Sequence, residues 1–267
     1  MNYSNNNNHS WNARAYDKVS SNVQLEWGQK LLEKKRRKWT GNEIVMDAGA
    51  GSGNLTKILA DKVPSGKVYA VDADPNMVEQ AKSNLSAYRN VQIIHSSMVK
   101  VSLPTQVDMI FSNAALHWVL DQESVFLHFW QLLEPKGELL IECGGGKNLE
   151  RTLSVIFKIM QSDQFKRHFA NWKQPWYFPK PDETEKLLQK ARFKDIEVNL
   201  SNQTTTFPDR ESFANFVKTV IMNPFLGHIH DAKKKNQFVD AFLNEFESSS
   251  RWKWSLDFML LGIFARK

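Results

Sequence analysis

The residues best suited to chemistry begin with a glycine-rich segment, 47–53 (DAGAGSG), which follows an apolar stretch. Glycines let the backbone turn tightly and approach a ligand closely. The segment does not fit the dinucleotide pattern Gly-x-Gly-x-x-Gly, because the third glycine would fall at Asn54 or Thr56. It also lacks the Gly-Lys-Ser/Thr of a phosphate-binding loop. What remains is Asp-x-Gly-x-Gly-x-Gly, with Asp47 where a strand would end.

A second acidic residue ends the next apolar stretch. Asp72 follows Gly53 by 19 positions and closes the segment 67–72 (KVYAVD). In Rossmann-type folds an acid at the end of the second strand accepts hydrogen bonds from ribose hydroxyls. The loop and Asp72 are weak signals separately. In a strand–loop–helix context they together predict a site for a ribose-containing cofactor.

A third candidate segment is 111–119 (FSNAALHWV), which follows another predicted strand. Ligands of doubly wound sheets bind beyond the carboxyl ends of the strands. His117 is the best polar candidate there, since an imidazole can hydrogen-bond a substrate or act as a base. The alternative is a histidine that only packs the loop between strand and helix.

The elements that must position these residues alternate along the chain. Apolar strands are predicted at 43–47, 67–72, 91–95, 107–111 and 138–143, with a turn at 134–137. Helices are predicted at 22–38, 55–62, 75–85 and 122–133. Beyond residue 147 we predict helical and aromatic sequence at 148–180, helices at 182–191, 209–222 and 231–247, and strands at 193–200 and 252–265. The alternation predicts an α/β fold with a doubly wound, mostly parallel sheet of seven strands and helical insertions.

The same pattern predicts one α/β domain rather than two. We expect a disordered tail at 1–10 and a Rossmann-like core at 11–147. A helical lid is expected at 148–252, interleaved with a core strand near 193–200, and a final core strand at 253–267.

The loop with Asp72 resembles the class I S-adenosylmethionine-dependent methyltransferases. The resemblance implies S-adenosylmethionine as the cofactor, which leaves as S-adenosylhomocysteine. It also implies that the loop wraps the methionine and ribose part of that cofactor. The acid that often meets the adenine amine after the third strand is missing, and Ser97 stands in its place. The cofactor-binding residues that the resemblance implies are Tyr16, Asp47, Gly49, Ala50, Gly51, Gly53, Asp72, Ala73, Ser97, Met98 and Asn113.

The segment 111–119 resembles a small-molecule branch that includes trans-aconitate, malonyl-thioester and juvenile hormone acid methyltransferases. These families mostly methylate carboxylates, which implies a methyl ester product on a small or medium-sized acid. In the juvenile hormone acid enzymes, Gln and Trp at the matching places contact the acceptor, which implies that role for Gln24 and Trp118. With His117 they form the expected catalytic set.

The acceptor decides whether a base is needed. A carboxylic acid, with a pKa of about 4, arrives ionised and needs none. Three hypotheses therefore stay open: O-methylation of a carboxylate, C- or N-methylation with His117 as the base, and a cofactor-binding module without catalysis. The scattered Lys and Arg residues of the second half favour a partly apolar acid over a tricarboxylate.

Composition bounds the partners. The formal net charge of +6 permits nucleic-acid contact without requiring it. The basic run at 34–38 is typical of a solvated helix end, and 112–115 lacks the Pro-Pro-aromatic motif of enzymes that methylate flipped bases. We expect a small-molecule partner and no nucleic acid.

Other classes are also disfavoured. The single cysteine, Cys143, excludes an intramolecular disulfide, and His228 and His230 lack a third ligand, so no metal site is predicted. No apolar run reaches the roughly 18 residues of a membrane span, and residues 1–10 do not resemble a secretory signal. We therefore expect a cytoplasmic location, while the oligomeric state cannot be inferred.

Overall fold

A seven-stranded sheet forms the centre of the protein. The computed structural model describes residues 11–249 and 254–267, except for the side chains of residues 20–24 and 249. The strands are β1 (Ile44–Ala48), β2 (Lys67–Asp72), β3 (Val91–His95), β4 (Val107–Asn113), β5 (Leu133–Gly144), β6 (Lys194–Thr206) and β7 (Ser255–Arg266). Their order is β3-β2-β1-β4-β5-β7-β6. Strands β1 to β5 are parallel and β7 is antiparallel to both neighbours, which confirms the predicted fold class.

The α-helices cover the sheet and extend beyond it. They are α1 (Ala13–Glu33), α2 (Asn54–Lys62), α3 (Pro75–Asn84), α4 (Gln122–Leu132), α5 (Glu150–Met160), α6 (Pro181–Lys190), α7 (Arg210–Phe216), α8 (Asn223–Leu226) and α9 (Ala232–Ser249). Short 3-10 turns occupy Leu116–Trp118 and Lys166–Phe169, and a π-helical turn occupies Val217–Ile221. None of the described helices is both long and apolar enough to cross a membrane.

The central strands are apolar on both sides because helices cover both faces of the sheet. On β1, Val45 packs with residues of α1 and α2, whereas Met46 packs with residues of α4. Both side chains are fully buried. The strand therefore shows a continuous apolar run rather than a polar–apolar alternation, and its buried position at the centre of the sheet fixes where the following loop emerges.

Several boundaries differ from the sequence-based predictions, and α1 ends at Glu33 rather than residue 38, so the basic run at 34–38 follows the helix. Helix α1 begins at Ala13 rather than residue 22, since the Asn12 side chain caps it by accepting from the N–H of Ala15. Strand β6 extends to Thr206 because its whole length pairs with β7. The predicted turn at 134–137 lies inside β5, as an irregularity where Lys136 has a φ of 70°. The segment 148–180 is helical only in α5 and one 3-10 turn; after residue 170 it has no regular secondary structure. The tail at 1–10 lies outside the described residues.

Helices α5, α7, α8 and α9 share a second hydrophobic core beside the sheet. It is rich in aromatic side chains, including Phe213, Phe225 and Phe242, all fully buried. The first half of β7 joins this core through Leu256, Phe258 and Leu260. Because β7 belongs to the sheet as well, the helical layer is anchored directly to the strands next to β5.

A buried acid holds the junction between β1 and α2. The carboxylate of Asp47, at 2% exposure, accepts a 2.6 Å hydrogen bond from Oγ1 of Thr56. Burial raises the pKa of Asp47 to about 7, and the bond from Thr56 opposes this only in part. The folded state thus retains a proton that the unfolded chain releases near pH 4.

This raised pKa predicts a pH-dependent effect of Asp47→Asn. The free energy of unfolding that Asp47 contributes falls as the pH rises through the window between about 4 and about 7, and the asparagine removes that fall. Relative to Asp47→Asn, the unchanged protein should lose about 2 kcal/mol between pH 5 and pH 8. Urea unfolding at both pH values measures this difference, with the exposed Asp240→Asn as the control. An equal effect of Asp47→Asn at both pH values would contradict the assignment.

Candidate active site

The glycine loop after β1 is folded back onto the end of β2. The N–H groups of Gly49 and Ala50 both donate to the carbonyl of Val71, at 2.8 and 3.0 Å. Gly49, Gly51 and Gly53 all have positive φ values, of 80°, 56° and 89°. A Cβ on Gly49 would lie 2.2 Å from Cβ of Ala115, whereas one on Gly51 would meet nothing within 4 Å. The loop is therefore packed on one side and has free space on the other.

Asp72 lies next to that free space. Its Oδ2 accepts from the N–H of Gly51 at 2.8 Å, and its Oδ1 accepts from the N–H of Asp74 at 2.8 Å. Burial raises the pKa of Asp72, while these backbone hydrogen bonds act in the opposite direction. Each carboxylate oxygen keeps acceptor capacity for a further donor, such as a sugar hydroxyl.

The residues after β3 border the loop as the sequence predicts. Met98 is buried, and its Cε would lie 2.9 Å from a Cβ on Gly49. The hydroxyl of Ser97 is buried without a hydrogen-bond partner among the described residues. A buried polar atom of this kind normally finds a partner, so Ser97 is ready to bind a polar group of a ligand.

An acid that the sequence analysis missed fastens α1 to this loop. The carboxylate of Asp17 accepts from Oγ of Ser52, from Nδ2 of Asn54 at 3.2 Å and from Nδ2 of Asn84 at 3.3 Å. Asn84 also donates to the carbonyl of Ser52 at 2.9 Å. This network holds the first helix, and with it Tyr16, above the loop. Asp17 belongs to none of the motifs in the sequence, and its role follows only from these contacts with residues distant in sequence.

A cleft opens between the ends of β4 and β5, α1 and the helical layer. It encloses about 830 Å³, part of which is open to solvent. Its walls are mainly aromatic and aliphatic, and its polar side chains are few. Its lining residues are Trp11, Tyr16, Trp27, Asn113, Ala114, His117, Trp118, Glu142, Cys143, Gly144, Asn148, Leu149, Leu153, Trp176, Phe178, Phe216, Val220, Ile221, Phe258 and Leu260.

His117 is held in one protonation state by its surroundings. Its Nδ1 accepts from the backbone N–H of Gly144 at 3.3 Å, and burial lowers the pKa of the imidazole to about 4. The ring is therefore neutral near pH 7 and carries its proton on Nε2. Its own carbonyl accepts from the N–H of Tyr177 at 2.9 Å, which fixes the turn. In this arrangement His117 is a hydrogen-bond donor, and its Nδ1 lone pair is occupied.

Aromatic side chains surround His117 and Trp118. The Trp118 ring lies 5.7 Å from Trp11 and 6.0 Å from Trp176, in edge-to-face geometry. Trp11 also lies 5.1 Å from Tyr16. The sequence analysis placed Trp118 and Tyr16 at the site, and the structure brings them to one wall of the cleft. The Gln24 side chain lies outside the described residues, so its role stays a prediction.

The remaining expected residues divide between the cleft and its support. Asn113 lines the cleft, and Ala73 follows Asp72 in the loop after β2. Asp47 instead lies beneath the glycine loop, bonded to Thr56. Its carboxylate is buried and does not line the cleft, so in this structure Asp47 supports the loop. Its predicted contact with a cofactor stays a prediction.

Glu142 is an acidic lining residue that sequence reasoning did not assign to the site. It lies near the end of β5, opposite Asn113 on β4, with only 11% of its side chain exposed. Burial raises the pKa of Glu142, and Lys34 and Lys30 lower it in part. A signal was present in the segment 138–143 (ELLIEC), because an acid interrupts an apolar run expected to be buried.

Comparison with known proteins follows the same residues. A family model described as a methyltransferase domain matches residues 46–141. An uncharacterized methyltransferase of Schizosaccharomyces pombe is 26% identical over 272 residues, which cover 96% of this chain and 98% of that protein.

Two relatives with named activities match shorter regions. The malonyl-[acyl-carrier protein] O-methyltransferase of Priestia megaterium is 31% identical over 52% of this chain and 49% of its own. The trans-aconitate 2-methyltransferase of Escherichia coli is 32% identical over 38% of each chain. The chain thus matches half or less of either relative.

A solved structure extends the likeness to the whole fold. Phosphoethanolamine N-methyltransferase 2 of Haemonchus contortus, in complex with S-adenosyl-L-methionine, aligns with a TM-score of 0.61 at 18% identity, over 96% of this chain and 56% of that one. The sheet order, the glycine loop with Asp72, and these matches support a class I S-adenosylmethionine-dependent methyltransferase.

Proposed function

We propose that the protein transfers the methyl group of S-adenosylmethionine to a carboxylate oxygen of a small or medium-sized, largely apolar acid, giving a methyl ester. The observation that carries the proposal is the state of His117 in the cleft. A neutral imidazole with its lone pair occupied is a donor to an anionic oxygen and a poor base.

The residues around the loop fit the cofactor. The open side of Gly51, the spare acceptor capacity of Asp72 and the unpartnered hydroxyl of Ser97 suit an adenine nucleoside. Tyr16 and Asn113, between the loop and the cleft, suit its methionine end. When bound, S-adenosylmethionine supplies an activated methyl on a sulfonium, so the protein contributes position and exclusion of water rather than activation.

The acceptor end of the cleft suits a carboxylate that is already ionised. With a pKa of about 4, the acid arrives without its proton and no base is needed. Nε2–H of His117 holds one carboxylate oxygen and leaves the other free to attack. The rings of Trp11, Trp118 and Trp176 exclude water and so strengthen that hydrogen bond.

The body of the acceptor follows from the walls. No described lysine or arginine lines the cleft, so a tricarboxylate finds no cationic partners there. The aromatic and aliphatic lining suits a hydrocarbon or ring-containing body. The relatives named for malonyl-[acyl-carrier protein] and trans-aconitate support transfer to an acid, while the lining distinguishes this cleft from a site for polyanions. We also propose that residues 148–252 act as a lid over the cleft. We expect no nucleic-acid partner.

A labelling experiment tests the reaction. With methyl-labelled S-adenosylmethionine and a panel of monocarboxylic acids, we expect label in products that release methanol in base. Monocarboxylic acids with apolar bodies should exceed di- and tricarboxylates at least tenfold in kcat/KM. Base-stable label would overturn ester formation and favour N- or C-methylation.

The cofactor site predicts the effect of Asp72→Asn. The change removes the negative charge that strengthens the hydrogen bonds accepted from ribose hydroxyls. The affinity for S-adenosylhomocysteine should therefore fall at least tenfold. Isothermal titration calorimetry measures it, with Asp61→Asn on the exposed side of α2 as the control. Unchanged affinity in Asp72→Asn would show that Asp72 does not hold the cofactor.

The donor role of His117 predicts different outcomes for two variants. His117→Phe should lower kcat by roughly 100-fold, as for loss of one preorganised donor, whereas His117→Gln keeps an N–H and should lose less. Cofactor affinity should stay within a few-fold in both. Because the pKa of His117 is about 4, kcat/KM of the unchanged enzyme should be level from pH 6 to 9. A loss of rate below pH 7 that disappears in His117→Gln would instead indicate a base.

A further inference from the structure

Glu142 places a carboxylate in a cleft whose walls are mainly apolar. Its neighbours across the sheet are Asn113 on β4 and Gly262 on β7. Gly262 has no side chain to cover the Glu142 carboxylate, and Asn113 is neutral. The carboxylate thus lies at the cleft surface without a charged neighbour on either adjacent strand.

The charge of Glu142 is only weakly compensated. The nearest cation, Nζ of Lys34, lies 3.9 Å from Oε2, beyond hydrogen-bond length, and 58% of the Lys34 side chain is exposed. A solvated lysine at this distance contributes little. Among the described residues, neither carboxylate oxygen of Glu142 accepts a hydrogen bond. Glu142 lines the cleft, so its carboxylate is open there to a hydrogen-bond donor supplied by a ligand.

The surroundings suit a cation in particular. Trp27 and Phe258, whose rings lie 5.0 Å apart, line the same cleft as Glu142. Aromatic faces attract ammonium groups, and a carboxylate adds a charge-assisted hydrogen bond. The same carboxylate repels a second acidic group on the acceptor.

We infer that Glu142 forms a second recognition point in the cleft, which binds an ammonium or hydroxyl group of the acceptor and rejects a second carboxylate. The inference rests on the proposed function and narrows its substrate class to amino or hydroxy acids. Gly144, whose N–H fixes His117, lies two residues beyond Glu142 on β5, which corresponds to roughly 7 Å along a strand. His117 and Glu142 are therefore close enough for one small acceptor to contact both.

The test uses acids of one length that differ only at the far end: hexanoate, 6-hydroxyhexanoate, 6-aminohexanoate and hexanedioate. In the unchanged enzyme, kcat/KM for 6-aminohexanoate should exceed that for hexanedioate at least 100-fold. Glu142→Gln should reduce this ratio at least tenfold. Glu150→Gln, which removes an exposed carboxylate that does not line the cleft, should leave it unchanged. An unchanged ratio in Glu142→Gln would overturn the inference.

A binding measurement separates this inference from the proposed reaction. Hexylammonium, which has no carboxylate to methylate, should quench the tryptophan fluorescence of the complex with S-adenosylhomocysteine. Its affinity should fall at least tenfold in Glu142→Gln and stay the same in Glu150→Gln. If that dependence is found while no acid is esterified, ester formation fails and the Glu142 subsite stands. If hexylammonium binds Glu142→Gln as tightly as the unchanged enzyme, the subsite fails whatever the reaction.

Discussion

The two hydrogen bonds from Gly49 and Ala50 to the carbonyl of Val71 are the constraint on which the site depends. They pull the loop after β1 across the end of β2, which forces left-handed backbone at positions where a side chain would collide with Ala115 or Leu85. The same fold-back leaves Gly51 facing free space and directs its N–H to Asp72. Asp47 and Thr56 then hold the helix start from below. The glycine loop, Asp72 and the start of α2 are therefore one unit.

The parts of this unit that obey short-range rules could be predicted from the sequence. The glycine spacing, the acid 19 positions later and the apolar strands each have a local physical cause, and so the core and its sheet followed from them. The irregular segment after residue 170 could not be predicted in this way, because aromatic side chains such as Trp176 can be buried equally well without a helix. Asp17 and Glu142 were missed for a different reason. Their importance comes from partners, or from the lack of them, on elements distant in sequence.

Buried titratable groups divide the site into regions with distinct chemistry. Burial favours the neutral forms of Asp47, Glu142 and His117. It raises the pKa values of the two acids and lowers the pKa of the histidine. Asp47 has a hydrogen-bond donor from within the protein and serves the fold. His117 has its Nδ1 satisfied by the N–H of Gly144 and lines the cleft. Glu142 has only a distant, solvated lysine. A group whose hydrogen bonds are all made within the protein supports the fold, whereas a group with free hydrogen-bonding capacity in the cleft is suited to recognising a ligand.

The segment before α1 connects the two ends of the site. The N–H of Trp11 donates to Oδ2 of Asp74 at 3.2 Å, two residues after Asp72, and Asn76 donates to the carbonyl of Trp11 at 3.1 Å. The Trp11 ring meanwhile packs against Trp118 at the acceptor end. The backbone of Trp11 therefore contacts the loop after β2, while its ring contacts Trp118 at the cleft. The cleft wall that contains Trp11 is complete only when the loop after β2 is in place. The shape of the cleft is therefore coupled to the order of that loop.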